Sequence, residues 1–224
     1  MSTPRILLID TSSSRCAVGL SGDSLHSKES LEARQSAQKI LPLIQDVCAS
    51  AEIGLAELDA VAVMAGPGSF TGLRIGVGVA QAICYANTLP AIAVSTLAAL
   101  AQSASQHTAA SVFCVALPAR EGEYYFGAYA RGERGVLTQV SAEQVATPAE
   151  IILPDFTADT AFVGEGWRDE ALLSLAEGPI QVGLVECEAN LDALAALAAV
   201  KFELKDYTKP ADLKPNYVKE QLDY

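Results

Sequence analysis

Two short polar runs hold the residue types from which phosphate chemistry could be built. Gly66-Pro67-Gly68-Ser69-Phe70-Thr71-Gly72 lies between an apolar run, Asp59 to Ala65, and a stretch of helical periodicity. Glycines let the backbone turn tightly and come close to a ligand. A helix starting after such a loop offers unpaired N–H groups and a partial positive charge to an anion, with Ser69 and Thr71 as capping candidates. No lysine follows the last glycine, so this is not a P-loop. The second run, Asp10-Thr11-Ser12-Ser13-Ser14, follows another apolar segment and combines a carboxylate with hydroxyls. Parallel sheets gather ligands at the carboxyl ends of their strands. The expected nucleotide or phosphate set is therefore Asp10, Thr11, Gly66, Gly68, Ser69 and Thr71. The competing explanation is plain turn chemistry, which uses the same residue types and binds nothing.

Other chemistries find little material. The only histidines are His26 and His107, far apart and without regularly spaced partners, so no metal site is expected. Ser69 has no histidine near it in sequence, which argues against a peptidase triad. The five cysteines are scattered in apolar contexts with no CxxC pair, as expected of buried thiols in a reducing compartment. A net charge of −12 disfavours tight binding of nucleic acid by the chain alone. No apolar run reaches membrane-span length, and MSTPRILLID runs straight into a strand pattern without the features of a signal peptide. The expected location is the cytoplasm, with no membrane contact.

The elements that must position these runs alternate. Arg5 to Asp10, Cys16 to Leu20 and Leu25 to Leu31 read as strands. Arg34 to Ala49 carries apolar residues at helical spacing, interrupted by Pro42, where a kink is expected. A strand over Asp59 to Ala65, a helix over Thr71 to Ala86, a strand over Ala91 to Val94 and a helix from Ser95 follow. The second half repeats the theme. Strands are expected at Val112 to Leu117, Glu123 to Ala130 and Gly135 to Val140, then a short helix at Pro148 to Ile152 and a strand at Ala161 to Val163. Helices close the pattern at Arg168 to Ala176 and Asn190 to Phe202. The reading is α/β with two related lobes, each a mixed sheet flanked by helices. Its boundaries are residues 1–104, 105–205 and a tail, 206–224.

Within the helix over Thr71 to Ala86 only Arg74 and Gln81 are strongly polar. Gly72, Gly76 and Ala80 form one row of small residues, and Gly78, Ala82 and Ala86 another. A helix that is apolar on nearly every side must be covered on nearly every side. Its own sheet covers one face, so a partner helix against the glycine row is expected, in preference to a third layer from the same chain.

The segments ILLIDTSSSRCAVGL, KILPLIQDV, AGPGSFTGLRIGVGVAQAI and IAVSTLAALA, in that order, resemble TsaB (formerly YeaZ), the dimerisation subunit family of the bacterial machinery that makes threonylcarbamoyladenosine in tRNA. The resemblance is strong over residues 5–102 and weaker over 112–170, and it returns in KPNYVK. It implies an actin-like ATPase (ASKHA, ribonuclease H-like) fold. It also implies pairing with a homologous catalytic subunit, TsaD, and with an ATPase, TsaE, with a homodimer when alone and tRNA reached only through the complex. The implied interface is two helices: Ile40, Leu43, Ile44 and Val47 on the first, and Gly72, Arg74, Ile75, Gly76, Gly78, Val79 and Ala82 on the second. The family is regarded as catalytically degenerate, and this chain matches that status. EARQSAQKILPLI lacks the paired metal-binding histidines of the catalytic paralogue. Pro118 stands where the family usually has aspartate, and Gly164-Glu165-Gly166-Trp167 replaces a nucleotide loop, with the indole expected to intrude there. No catalytic residue, no metal and no tightly bound cofactor are expected; ATP or ADP shared with a partner is the one nucleotide role left open. The alternatives are a stand-alone ATPase or phosphotransferase using Asp10 and the glycine loop, and a peptidase acting on its partner.

Overall fold

A computed structural model describes residues 3–32, 35–120, 122–132, 134–154, 160–176 and 183–218. The chain divides into two compact units, residues 1–96 with 191–216, and residues 97–190 with 217–224.

In the first unit, β1 (Ile6–Asp10) pairs antiparallel with β2 (Cys16–Ser21), which pairs antiparallel with β3 (His26–Ser30). On its other side β1 runs parallel to β4 (Ala60–Gly66), and β4 runs parallel to β5 (Ala91–Ser95). The order is β3-β2-β1-β4-β5. Every residue of β1 and β4 is buried, because helices lie on both faces. On one face, α1 (Ser36–Ala51) and α2 (Phe70–Asn87) bring Ile40, Ile44, Val47, Val77, Ala80 and Ile83 onto Leu7, Ile9, Val61 and Val63. On the other, α5 (Leu191–Glu203) packs across β1, β4 and β5.

The second unit repeats the topology. β6 (Val112–Pro118), β7 (Tyr124–Arg131) and β8 (Leu137–Ala146) form the antiparallel part, and β9 (Thr160–Val163) and β10 (Gly183–Val185) the parallel part, in the order β10-β9-β6-β7-β8. Helix α3 (Thr96–Ala104) enters this unit, and α4 (Glu170–Leu173) follows β9. Two mixed sheets of identical connectivity, flanked by helices, are the architecture expected of the actin-like fold.

Several expectations are corrected. Residues 191–203, placed by sequence order in a lobe spanning 105–205, belong with the first unit. Leu191, Ala193, Leu194, Leu197 and Ala198 are buried in α5, which covers the second face of the first sheet. The tail is no appendage up to residue 216: Thr208 bridges Ala91, and Leu213 is 1% exposed within the first core. Strand β10 has no counterpart among the expected elements, since three residues are too few for a periodic signal. The helix expected at Pro148 to Ile152 is a single 3-10 turn, Pro148–Glu150, closed by Glu150 on the Thr147 amide. The helix α1 continues through Pro42, which is exposed.

Candidate functional site

Strand β1 ends at Asp10, which is 1% exposed. Its Oδ1 accepts from the Ser12 amide (2.9 Å) and the Ser12 hydroxyl (2.7 Å), and its Oδ2 lies 3.5 Å from the Arg15 guanidinium, which also reaches Glu29 at 3.6 Å. Both carboxylate oxygens are therefore engaged by their own chain. Among the described residues no group of three His, Cys, Asp or Glu is gathered that could hold an ion.

The glycine loop is shaped by neighbouring backbone. A Cβ on Gly68 would stand 2.3 Å from the Ser12 carbonyl oxygen, which also accepts from the Ser69 amide at 2.7 Å. At Gly66 (φ +125°) a Cβ would stand 2.4 Å from the Asn216 carbonyl oxygen, while the Asn216 amide donates to Ala65 at 2.7 Å. Thr11 donates its hydroxyl to the Gly72 carbonyl (2.7 Å) and fills the notch where Gly76 has no Cβ, 2.4 Å from that missing atom. Asp10, Thr11, Gly66 and Gly68 thus spend their special geometry on folding, each with a partner in its own chain.

The same contacts sort the expected interface residues. The row Gly72, Gly76 and Ala80 is buried against β1 and β4, with Ile9 and Val63 3.4 Å from the missing Cβ of Gly76. This corrects the expectation that a partner helix meets that row: the sheet needs it, because only glycine lets α2 sit on Thr11. Ile40, Ile44 and Val47 are also core residues. A third side of α2 is taken by the C-terminal segment, where Gln81 donates to the Leu213 carbonyl at 2.9 Å. So the third layer from the same chain is present in part. What stays outward is a different strip. Arg74 and Ala82 are exposed, Ile75 and Val79 are half-buried, and Gly78 faces open space. Two exposed aromatics that the sequence reading left out flank the strip: Phe70 (57% exposed), with the Arg74 guanidinium stacked 3.8 Å from its ring centroid, and Tyr85 (84%). On the neighbouring α1, Leu41 is 55% exposed and Leu43 half-buried. Helical phase separates these from the buried set, but a helix apolar all round hides that phase until its sheet is in place.

Beside the start of α2 a cleft of ≈ 560 Å³ opens in the first unit. Its walls are Ser12, Ser13 and Ser14, Ser36 of α1, and Ser69, Thr71, Gly72 and Ile75 of α2. Ser69 caps α2 by accepting from the Gly72 amide at 3.3 Å. His26 lies 3.0 Å from Ser24.

In the second unit the indole of Trp167 corrects another expectation. It is fully buried against Phe126 and Phe162, with its N–H donating to the Cys114 carbonyl at 2.9 Å. Gly164 (φ +101°) closes on Ala116, whose carbonyl oxygen lies 2.5 Å from the missing Cβ. The indole is core, and the turn holds β9 against β6. All five cysteines are free thiols; burial pushes Cys16, Cys84 and Cys187 up to about 11 and Cys114 up to about 12, which favours the protonated thiol at these four.

Among the described residues no helix is long and apolar enough to cross a membrane. Residues 27–172 match the family model for TsaD, tRNA N6-adenosine threonylcarbamoyltransferase. The tRNA threonylcarbamoyladenosine biosynthesis protein TsaB of Escherichia coli K12 is 33% identical, over 97% of this chain and 98% of its own length. The TsaB of Haemophilus influenzae is also 33% identical, over 97% and 94%. YeaZ from Pseudomonas aeruginosa superposes with a TM-score of 0.83 at 31% identity, over 96% of this chain and 99% of that one. A second Pseudomonas aeruginosa structure, described as an uncharacterized protein with similarity to peptidase YEAZ, superposes at 0.85 with 30% identity, over 96% and 100%. With this identity running nearly end to end and the same fold beneath it, the chain belongs to the TsaB family of tRNA threonylcarbamoyladenosine biosynthesis proteins.

Proposed function

We propose that the chain is a non-catalytic docking subunit in threonylcarbamoyladenosine formation. It pairs through the outward faces of α1 and α2 with a homologous TsaD-like catalytic subunit, works with a TsaE-like ATPase, and reaches tRNA only through that assembly. The observation that carries this reading is the exposed strip of α2, where Gly78 meets nothing while Phe70, Ala82 and Tyr85 stand in solvent. A glycine at an exposed mid-helix position costs about 1 kcal/mol against alanine. Close approach of a second helix accounts for keeping it. Two helices from each side would supply the roughly 1,200–2,000 Å² that a specific interface buries. The engagement of Asp10 by Ser12 and Arg15 within its own chain favours a docking role over a stand-alone ATPase. Without a partner, a second copy can use the same surface, since homologous faces substitute for one another.

The test is co-elution with the TsaD-like subunit, using Gly78→Leu. The new side chain fills the space a partner helix would need, and it raises helix propensity, so the monomer keeps or gains thermal stability while pairing is lost. Undiminished co-elution of Gly78→Leu would overturn the reading. Reconstitution with all partners, omitting only this chain, then shows whether tRNA modification depends on it.

A further inference from the structure

Behind the outward strip of α2 stands a buried hydroxyl. Thr11, directly after β1, is fully buried and donates its hydroxyl to the Gly72 carbonyl at 2.7 Å. Its own carbonyl oxygen lies 2.0 Å from where a Cβ of Gly72 would stand, and its hydroxyl oxygen 2.4 Å from that of Gly76. The threonine is thus wedged under two successive turns of α2, and neither glycine has room for a side chain. The rest of this helix face is Val77, Ala80 and Ile83 in apolar contact with the sheet. Apolar attraction has no direction, so it holds α2 down without fixing where the helix lies along its axis. A hydrogen bond has direction and fixes both.

Phe70, Arg74 and Gly78 are spaced four apart and offset by two residues from Gly72 and Gly76, which puts the two rows on opposite sides of one helix. A displacement of Gly72 is carried to the outward row by the helix itself. That row is sensitive to it, because Gly78 presents bare backbone, with nothing within 4 Å of a Cβ placed there. A gap of about 0.5–1 Å at such a contact forfeits a quarter to a half of its attraction. We propose that Thr11 is a positioning residue for docking: its hydroxyl sets the height and axial position of α2, and so the register in which Phe70, Arg74 and Gly78 meet a partner helix. The role rests on the docking function proposed above, and it places a determinant of pairing in the core, out of a partner's reach.

The test is titration of the full chain with the TsaD-like subunit, alongside thermal denaturation of each variant alone. In Thr11→Val a methyl group takes the hydroxyl's place 2.7 Å from the Gly72 carbonyl oxygen, where a carbon needs about 3.3 Å, so α2 is pushed off its seat. Thr11→Ser keeps the hydroxyl and loses only a buried methyl group. Both variants should melt below the parent. Pairing should weaken at least about tenfold, or about 1.4 kcal/mol, in Thr11→Val and stay close to the parent's in Thr11→Ser. Thr11→Ala, which drops the hydroxyl without a clash, stands in with the same expectation if Thr11→Val does not fold. Two results would overturn the proposal while Gly78→Leu still abolishes pairing: parental affinity without the hydroxyl, or pairing lost alike in the valine and serine variants in step with their melting temperatures. Undiminished pairing of Gly78→Leu would overturn the docking role and this one with it.

Discussion

Gly76 and Gly78 lie two residues apart on one helix and answer to opposite constraints. A methyl group on Gly76 would sit 2.4 Å from the Thr11 hydroxyl, with Ile9 and Val63 behind it, whereas one on Gly78 meets nothing within 4 Å. Gly76→Ala therefore gains about 1 kcal/mol of helix propensity but incurs overpacking of about 1–3 kcal/mol, and the overpacking wins because Thr11 is pinned to Gly72. Gly78→Ala keeps the propensity gain. Thermal denaturation should place the Gly76 variant below the parent and the Gly78 variant at or above it. A destabilised Gly78 variant would mean that the outward face is packed in the isolated chain. Sequence alone puts the two glycines in separate small-residue rows; it cannot show which row faces Thr11.

The segment after α5 behaves as an element although most of it is irregular. It pairs with the start of β5 through Thr208, accepts from Gln81 at Leu213, and closes on the end of β4 at Asn216. It thus runs the length of the first sheet beside α2, with Leu213 as its buried anchor. Leu213→Ala should cost about 2–5 kcal/mol, the range for a deleted core leucine. That loss would be measured as a shift in the denaturation midpoint at unchanged slope. An effect under about 0.5 kcal/mol, typical of a surface site, would show that the strap is not anchored there. No periodicity marks this segment, since one leucine between two prolines, Pro210 and Pro215, forms no pattern.

At the scale of the molecule, the first unit is discontinuous. A fragment of residues 1–104 retains β1 to β5, α1 and α2 but lacks α5 and the strap, so the apolar second face of β1, β4 and β5 is left bare. Such a fragment should be insoluble or molten, while joining residues 191–216 to residues 1–96 through a flexible linker should restore a cooperative unfolding transition. Cooperative folding of residues 1–104 alone would contradict the discontinuous unit. The succession of elements along the chain, the duplicated half and the longer helices were legible from the amino-acid sequence because apolar periodicity reports which residues of an element are buried. The family was legible because GPGSFTGLRIG and its flanking segments stand in the same order as in its relatives. What buries each residue was left to the tertiary structure. An apolar face looks the same whether it meets its own sheet, a distant helix of the same chain or another protein. Only the placement of Thr11, α5 and Leu213 separated the glycines that fold the chain from the surface that remains open.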